Sequence, residues 1–167
     1  LMIFQENVVL SNPDYVMESG ELIYNLITKN ARTNGYTEIT TSDGRKLFAR
    51  HGSEFNTAEK TSAFLEGEII TDSYYIRAGE LFYDQINKYY TATTNVYVYA
   101  KKDDIIITGE EARFYEDRGI AEVFGNPVLR KPMEPDTLFL AADTLVSIDS
   151  DNPADKRLLA FHNVRIF

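Results

Sequence analysis

The clearest pattern in the chain is an alternation of period two. From Arg77 to Asp84, Leu81 and Tyr83 alternate with Glu80 and Phe82. Asp84 to Lys88 is polar and turns, and a second alternating run opens at Asn95-Val96. Period two sends successive side chains to opposite faces of a strand. Apolar residues at i, i+3, i+4 and i+7 are sustained almost nowhere. The best such window, Tyr15 to Leu26, contains Gly20 and also fits period two at Leu22 and Tyr24. Gly, Asn, Asp and Pro punctuate the runs. The chain therefore reads as all-β, with many strands of about five residues.

This two-strand unit recurs. An apolar residue followed by an acid or amide closes each first strand: Tyr24-Asn25, Phe55-Asn56, Tyr83-Asp84, Tyr115-Glu116 and Ile148-Asp149, at steps of 31, 28, 32 and 33 residues. Small residues precede these anchors at Ser19-Gly20, His51-Gly52, Ala78-Gly79, Gly109 with Ala112, and Ala141-Ala142. A Gly or Asn signal follows each, at Gly35, Gly67, Asn95, Gly125-Asn126 and Asn163. The last interval is lengthened by Asp149-Ser-Asp-Asn-Pro-Ala-Asp155. A repeat near 30 residues predicts stacked units, each contacting its neighbours, because one two-stranded unit cannot bury its apolar side alone. About five such units make a continuous core, as long twisted sheets folded against each other rather than a closed barrel. The linkers are short and polar, and none reads as a domain boundary. The Pro-rich one, Lys131 to Asp136, belongs between strands, since Pro does not fit a central strand.

Composition narrows the function classes. At 167 residues the chain fits one domain. Cysteine is absent, which removes disulfides, thiolate zinc sites and cysteine nucleophiles. The net charge of −9 is spread along the chain and disfavours nucleic acid as a partner. No apolar run approaches the roughly 18 residues of a membrane helix. Leu1-Met-Ile-Phe-Gln-Glu has no basic start, long apolar stretch or small-residue cleavage site, so no signal peptide is present in this chain.

Three segments carry a family resemblance. They are Ala141-Ala-Asp-Thr-Leu145 with Leu158-Leu-Ala-Phe-His-Asn163-Val-Arg-Ile166, Ala78-Gly-Glu-Leu-Phe-Tyr-Asp84 with Asn95-Val96, and Gly109-Glu-Glu-Ala-Arg-Phe-Tyr-Glu116 with Gly125-Asn-Pro-Val128. They resemble the repeating unit of OstA-like domains, the LptA family of lipopolysaccharide-transport proteins, which includes the periplasmic domain of LptD. The resemblance is clearest over residues 47–167. It implies a single antiparallel β-jellyroll (β-taco) domain over residues 1–167. Residues 1–46 fit the repeat poorly and read as an atypical cap, and the chain reads either as ending on an exposed edge strand or as a fragment of a longer chain with more repeats. It implies a periplasmic setting in a Gram-negative bacterium and a role in outer-membrane biogenesis. It also implies lipopolysaccharide as ligand, with lipid A acyl chains inside the roll. The partners it implies are other jellyrolls, copies of the same chain included, joined end to end.

The candidate lipid-contacting residues are Leu81, Tyr83, Val96, Val98, Ile105, Ile107, Phe114, Leu138, Leu140 and Leu145. Their alternation serves a packed core equally well. Val96-Tyr-Val-Tyr99 and Ile105-Ile-Ile107 are apolar on both faces, as in strands buried on both sides or offering one side to a partner. Val164 and Ile166 open a final apolar strand suited to strand addition by a neighbour. The basic pairs Arg45-Lys46, Lys101-Lys102, Arg130-Lys131 and Lys156-Arg157 flank predicted turns, where they either keep edges soluble or form a row facing phosphates.

No catalytic, metal or cofactor site is expected. His51 and His162 fall in turn segments without a ligand set. Asp149 to Asp155 lacks the central Gly and terminal Glu of a calcium loop. Adjacent acids such as Glu110-Glu111 point to opposite faces, and no nucleophile elbow, phosphate loop or dinucleotide fingerprint occurs. Three readings remain: a non-enzymatic lipopolysaccharide carrier, a strand-pairing scaffold of the same fold, and a polysaccharide-binding solenoid in which Tyr89, Tyr90, Tyr97 and Tyr99 form an exposed aromatic strip.

Overall fold

The computed structural model describes all 167 residues. Its strands are β1 (Met2–Ser11), β2 (Tyr15–Tyr24), β3 (Asn30–Thr33), β4 (Thr37–Thr41), β5 (Lys46–Ala49), β6 (Ser53–Asn56), β7 (Thr61–Ile70) and β8 (Tyr74–Asp84). They continue as β9 (Tyr89–Ala100), β10 (Ile105–Tyr115), β11 (Ile120–Phe124), β12 (Val128–Pro132), β13 (Thr137–Ala141), β14 (Thr144–Ile148), β15 (Arg157–Phe161) and β16 (Arg165–Ile166). Every pairing is antiparallel. The only helical pieces are single 3-10 turns at Glu116–Arg118 and Pro153–Asp155.

The pairings resolve into an antiparallel β-jellyroll of two leaves. The upper leaf is, in order, the first half of β1, the second half of β2, β3, β6, the first half of β7, the second half of β8, the first half of β9, the second half of β10, β11, β14 and β15. The lower leaf holds the complementary halves with β4, β5, β12, β13 and β16. The chain thus makes eleven crossings between leaves, each beside the last, which is five pairs and one more. Neighbouring rungs are about 4.8 Å apart, so the roll is roughly 48 Å long.

Each crossing bends at a crease, and the sequence provides the bend in two ways. Crossings from upper to lower leaf carry left-handed backbone there: Glu6 and Asn7, Glu66, Thr94 and Asn95, Gly125 and Asn126, and His162 and Asn163. Crossings in the other direction carry small residues, at Gly20, Gly52, Ala78-Gly79, Gly109 and Ala141-Ala142, and of these Gly52 also has positive φ. The Gly and Asn signals of the repeat are therefore bends in mid-crossing, and β9 runs unbroken through Asn95. The true hairpins lie at the rims. On the upper rim the side chains of Asn25, Asn56 and Asp84 accept hydrogen bonds from the N–H groups two and three residues ahead. Lys29, Lys60 and Lys88 then close each turn with positive φ. Such Asx turns are why an acid or amide recurs at the strand end.

The core lies between the leaves. The inward upper-leaf row beside the crease runs Leu22, Thr33, Ser53, Phe64, Leu81, Ala92, Ala112, Val123 and Leu145, none more than 5% exposed. Opposite it, the lower leaf presents Leu10, Met17, Ile39, Leu47, Ile69, Ile76, Val98, Ile107, Leu129, Leu140 and Ile166 in one register. Fully burying one of the Leu, Ile, Val, Phe or Met side chains contributes about 1.5–3 kcal/mol, whereas Ile166, at the open end of its row, stays 69% exposed. The polar Thr33 and Ser53 are tolerated because Thr33 Oγ1 lies 2.7 Å from Thr37 Oγ1 and 2.8 Å from Ser53 Oγ, so these buried hydroxyls satisfy one another.

Candidate functional site

The interior gathers the predicted lipid-contacting residues onto the inward faces of the two leaves. Leu81 and Leu145 belong to the crease row of the upper leaf. Tyr83 and Phe114 sit two residues further out on the same face, in the row Tyr24, Ala31, Phe55, Ser62, Tyr83, Tyr90, Phe114. Val96, Val98, Ile107 and Leu140 face them from the lower leaf. Ile105 shares the face of Ile107 on β10, and Leu138 shares that of Leu140 on β13. The apolar-on-both-faces segments split by parity. Val96 and Val98 turn inward, while Tyr97, Tyr99 and Ile106 line the outer face of the lower leaf.

This interior is filled by its own side chains. Tyr83 and Tyr90 stack at 4.1 Å, and Phe55 meets Phe64 edge-on at 5.8 Å. At the crease a Cβ added to Gly67 would lie 2.8 Å from Leu81 Cδ1, and one added to Gly109 would lie 2.6 Å from Val123 Cγ1. A surface depression of about 720 Å³ lies on the upper leaf around Ile3, Ile23, Arg32, Glu54, Ala63 and Phe82. Those six residues belong to the outward row, and Ala31, Phe55 and Ser62 of the inward row also line it.

The mouth, on the side away from the crease, is bridged by Arg45. This residue ends a lower-leaf hairpin in which Thr41 N–H donates to the Arg45 carbonyl at 2.9 Å. Its Nη1 donates to the Tyr90 hydroxyl at 2.8 Å and lies 3.5 Å from Glu116 Oε1, both on the upper leaf. Burial pushes the Tyr90 phenol pKa well above its ordinary range, so this group is neutral. Further along, Asp149 and Lys156 of the upper-rim loop act electrostatically on Tyr74 of the lower rim, whose phenol is pushed up mainly by burial. Sequence reasoning placed Arg45 beside a turn but not across the mouth. Nothing local signals a contact between residues 45 apart.

The other candidates disperse. The four tyrosines do not form a strip: Tyr90 faces the interior, Tyr89 the outside of the upper leaf, and Tyr97 and Tyr99 the outside of the lower leaf. Tyr97 is met edge-on by Tyr75 at 6.1 Å, and the Arg77 guanidinium lies 5.1 Å from its ring centre. Its faces are thus partly taken by the protein itself. Of the basic pairs, Lys46 approaches Glu38 at 3.5 Å, Lys101 donates to the Thr71 carbonyl at 2.6 Å and Lys156 pairs with Asp149 at 2.8 Å. They occupy both rims and form no single row. His51 Nε2 lies 3.1 Å from Glu66 Oε2, His162 sits in a bend with positive φ, and no three His, Cys, Asp or Glu side chains converge as a metal site.

Both ends of the roll present apolar edge strands. On β1, Phe4 is 45% exposed. At the other end Ile166 is 69% and Val164 46% exposed. Ile166 pairs with Leu140 on one side and has no strand on the other. No family model matches the chain, and no curated protein matches it.

Proposed function

We propose that the chain is a non-enzymatic carrier segment of the OstA/LptA type, a periplasmic bridge that shelters the acyl chains of lipopolysaccharide between its leaves. One observation carries this reading. The lower leaf presents an apolar row without a polar member from Leu10 to Ile166, across all eleven crossings. A row of that length suits a chain-like apolar ligand, whose burial is worth about 0.8 kcal/mol per CH₂. Leu81, Tyr83, Val96, Val98, Ile105, Ile107, Phe114, Leu138, Leu140 and Leu145 are its proposed contacts. The edge strands at Val164 and Ile166 then join the next jellyroll by strand addition, which continues the row from one roll into the next.

The dense packing of Tyr83 on Tyr90 and of the crease at Gly109 favours a second reading, a strand-pairing scaffold with no ligand. Photo-crosslinking separates the two. A benzophenone side chain is placed in turn at Tyr83, Val98 and Phe114, and at the outward Tyr99 and Ile106. The carrier predicts lipopolysaccharide adducts at the first three and none at the last two. No adduct at any folded variant leaves the scaffold as the account.

A further inference from the structure

We infer that Arg45, Tyr90 and Glu116 form a latch that controls entry to the interior. The inference rests on the carrier reading only for what the opening admits. Away from the crease, the Arg45–Tyr90 hydrogen bond is the one side-chain hydrogen bond between the leaves, and Arg45–Glu116 the one ion pair. The other side-chain hydrogen bonds and ion pairs at the mouth are rim-internal, as with Lys88 and Asp117 at 2.8 Å and Lys101 on Thr71. The latch also sits over the aromatic pair that fills the opening, because the Tyr90 ring stacks on Tyr83 within 14° of parallel.

Arg45 also holds a partner on its own leaf. The Asp43 carboxylate lies 2.9 Å from Arg45 Nε, yet that nitrogen is shielded from solvent and makes no aligned hydrogen bond. The guanidinium is turned toward the upper leaf and presents Nη1 there, leaving Nε off-angle to the carboxylate of its own hairpin. When the leaves part, the Asp43 carboxylate already beside Arg45 keeps its charge paired. The guanidinium therefore gives up only its upper-leaf contacts when the mouth opens. One neutral-acceptor hydrogen bond and one loose, half-exposed ion pair are weak enough to exchange.

The chain has no cysteine, so Ala121→Cys gives a single reporter thiol. Ala121 shares the inward face of Val123 and pairs with Phe114. Its alkylation rate is measured in Arg45→Met and Tyr90→Phe backgrounds, the second of which keeps the stacked ring. The latch predicts alkylation several-fold faster in both. Should Arg45→Met fail to fold, Tyr90→Phe decides alone. Unchanged rates overturn the latch, whatever the protein binds. In a second arm, cysteines at positions 45 and 116 are bridged by a short bismaleimide, and lipopolysaccharide labelling is read at a Phe114 crosslinker. Labelling lost on bridging supports the gate, and equal labelling with and without the bridge overturns it. Faster alkylation with no labelling in either form keeps the latch and sinks the carrier.

Discussion

Arg45 and Tyr90 are 45 residues apart in sequence, and Arg45 Nη1 donates to the Tyr90 hydroxyl at 2.8 Å. The phenol that accepts this bond is held neutral by burial, with its pKa raised far above the ordinary value near 10. A raised folded-state pKa means that the unfolded chain loses its proton first as pH climbs. Stability contributed by Tyr90 is therefore full below about pH 10 and falls above it, by up to about 1 kcal/mol per pH unit after allowing for partial exposure. Tyr74, Tyr75 and Tyr89 are raised by burial too and add to the same slope. Urea unfolding from pH 8 to 11 should show a shallower alkaline decline for Tyr90→Phe than for the parent. Parallel profiles would mean that Tyr90 ionises as freely folded as unfolded.

The hairpin that presents Arg45 depends on Asp43. Its carboxyl is lowered to about 2, first by the Thr41 hydroxyl and then by the Arg45 guanidinium. A lowered folded-state pKa contributes stability that is present above the unfolded value near 4 and is lost as pH falls toward 2. Asp43 is mostly exposed, so the contribution to global stability is small. The local signature is clear all the same. Carboxyl carbon shifts followed by NMR should place the Asp43 midpoint near 2 in the parent and closer to 4 in Thr41→Val. A midpoint that does not move would assign the effect to Arg45 instead.

The fold was legible because its period is written in local chemistry. Asn25, Asn56 and Asp84 mark upper-rim turns through Asx geometry, and Asn95, Gly125-Asn126 and Asn163 mark bends through left-handed backbone. Alternation also fixed which side of β8 and β9 turns inward, so Leu81, Tyr83, Val96 and Val98 fall on the core side. What could not be read was which rim residues meet. Arg45 reaches crossings four or so rungs away because twist carries one leaf past the other. The four-tyrosine strip failed for the opposite reason: parity separates Tyr89 from Tyr90, and the crease puts Tyr97 and Tyr99 on the other leaf.

The bends should be the most sensitive backbone positions. Gly52 has φ +110°, and a Cβ there would stand 2.5 Å from the Thr33 carbonyl oxygen on the neighbouring crossing. Neither strain can be relieved by a side-chain rotation. Gly52→Ala should cost about 2–4 kcal/mol. Gly20 bends the second crossing with nothing within 4 Å of its missing Cβ and without positive φ. Gly20→Ala should be within about 0.5 kcal/mol of the parent. Chemical denaturation of the two variants tests this, and similar losses would contradict the assignment of Gly52 as a steric bend.

The hydroxyl cluster at the crease makes a prediction that depends on partners rather than on burial alone. Thr33 Oγ1 contacts the Thr37 and Ser53 hydroxyls at 2.7 and 2.8 Å and accepts from Ser53 N–H at 2.9 Å. All three residues are at most 4% exposed. Thr33→Val keeps the volume but strands the Ser53 N–H and the Ser53 hydroxyl, while the Thr37 hydroxyl keeps the Gly35 carbonyl at 3.2 Å, and should destabilise by about 1–3 kcal/mol. Adding Thr37→Val and Ser53→Ala removes both hydroxyls while leaving the Ser53-position N–H unpaired. The triple variant should therefore recover part of the loss but not all of it. Non-additivity of this sign, measured by urea unfolding of the single and triple variants, would identify unpaired donors as the cost. A triple variant that loses the sum of its parts would instead make each hydroxyl an independent contact, and the cluster would not be a network.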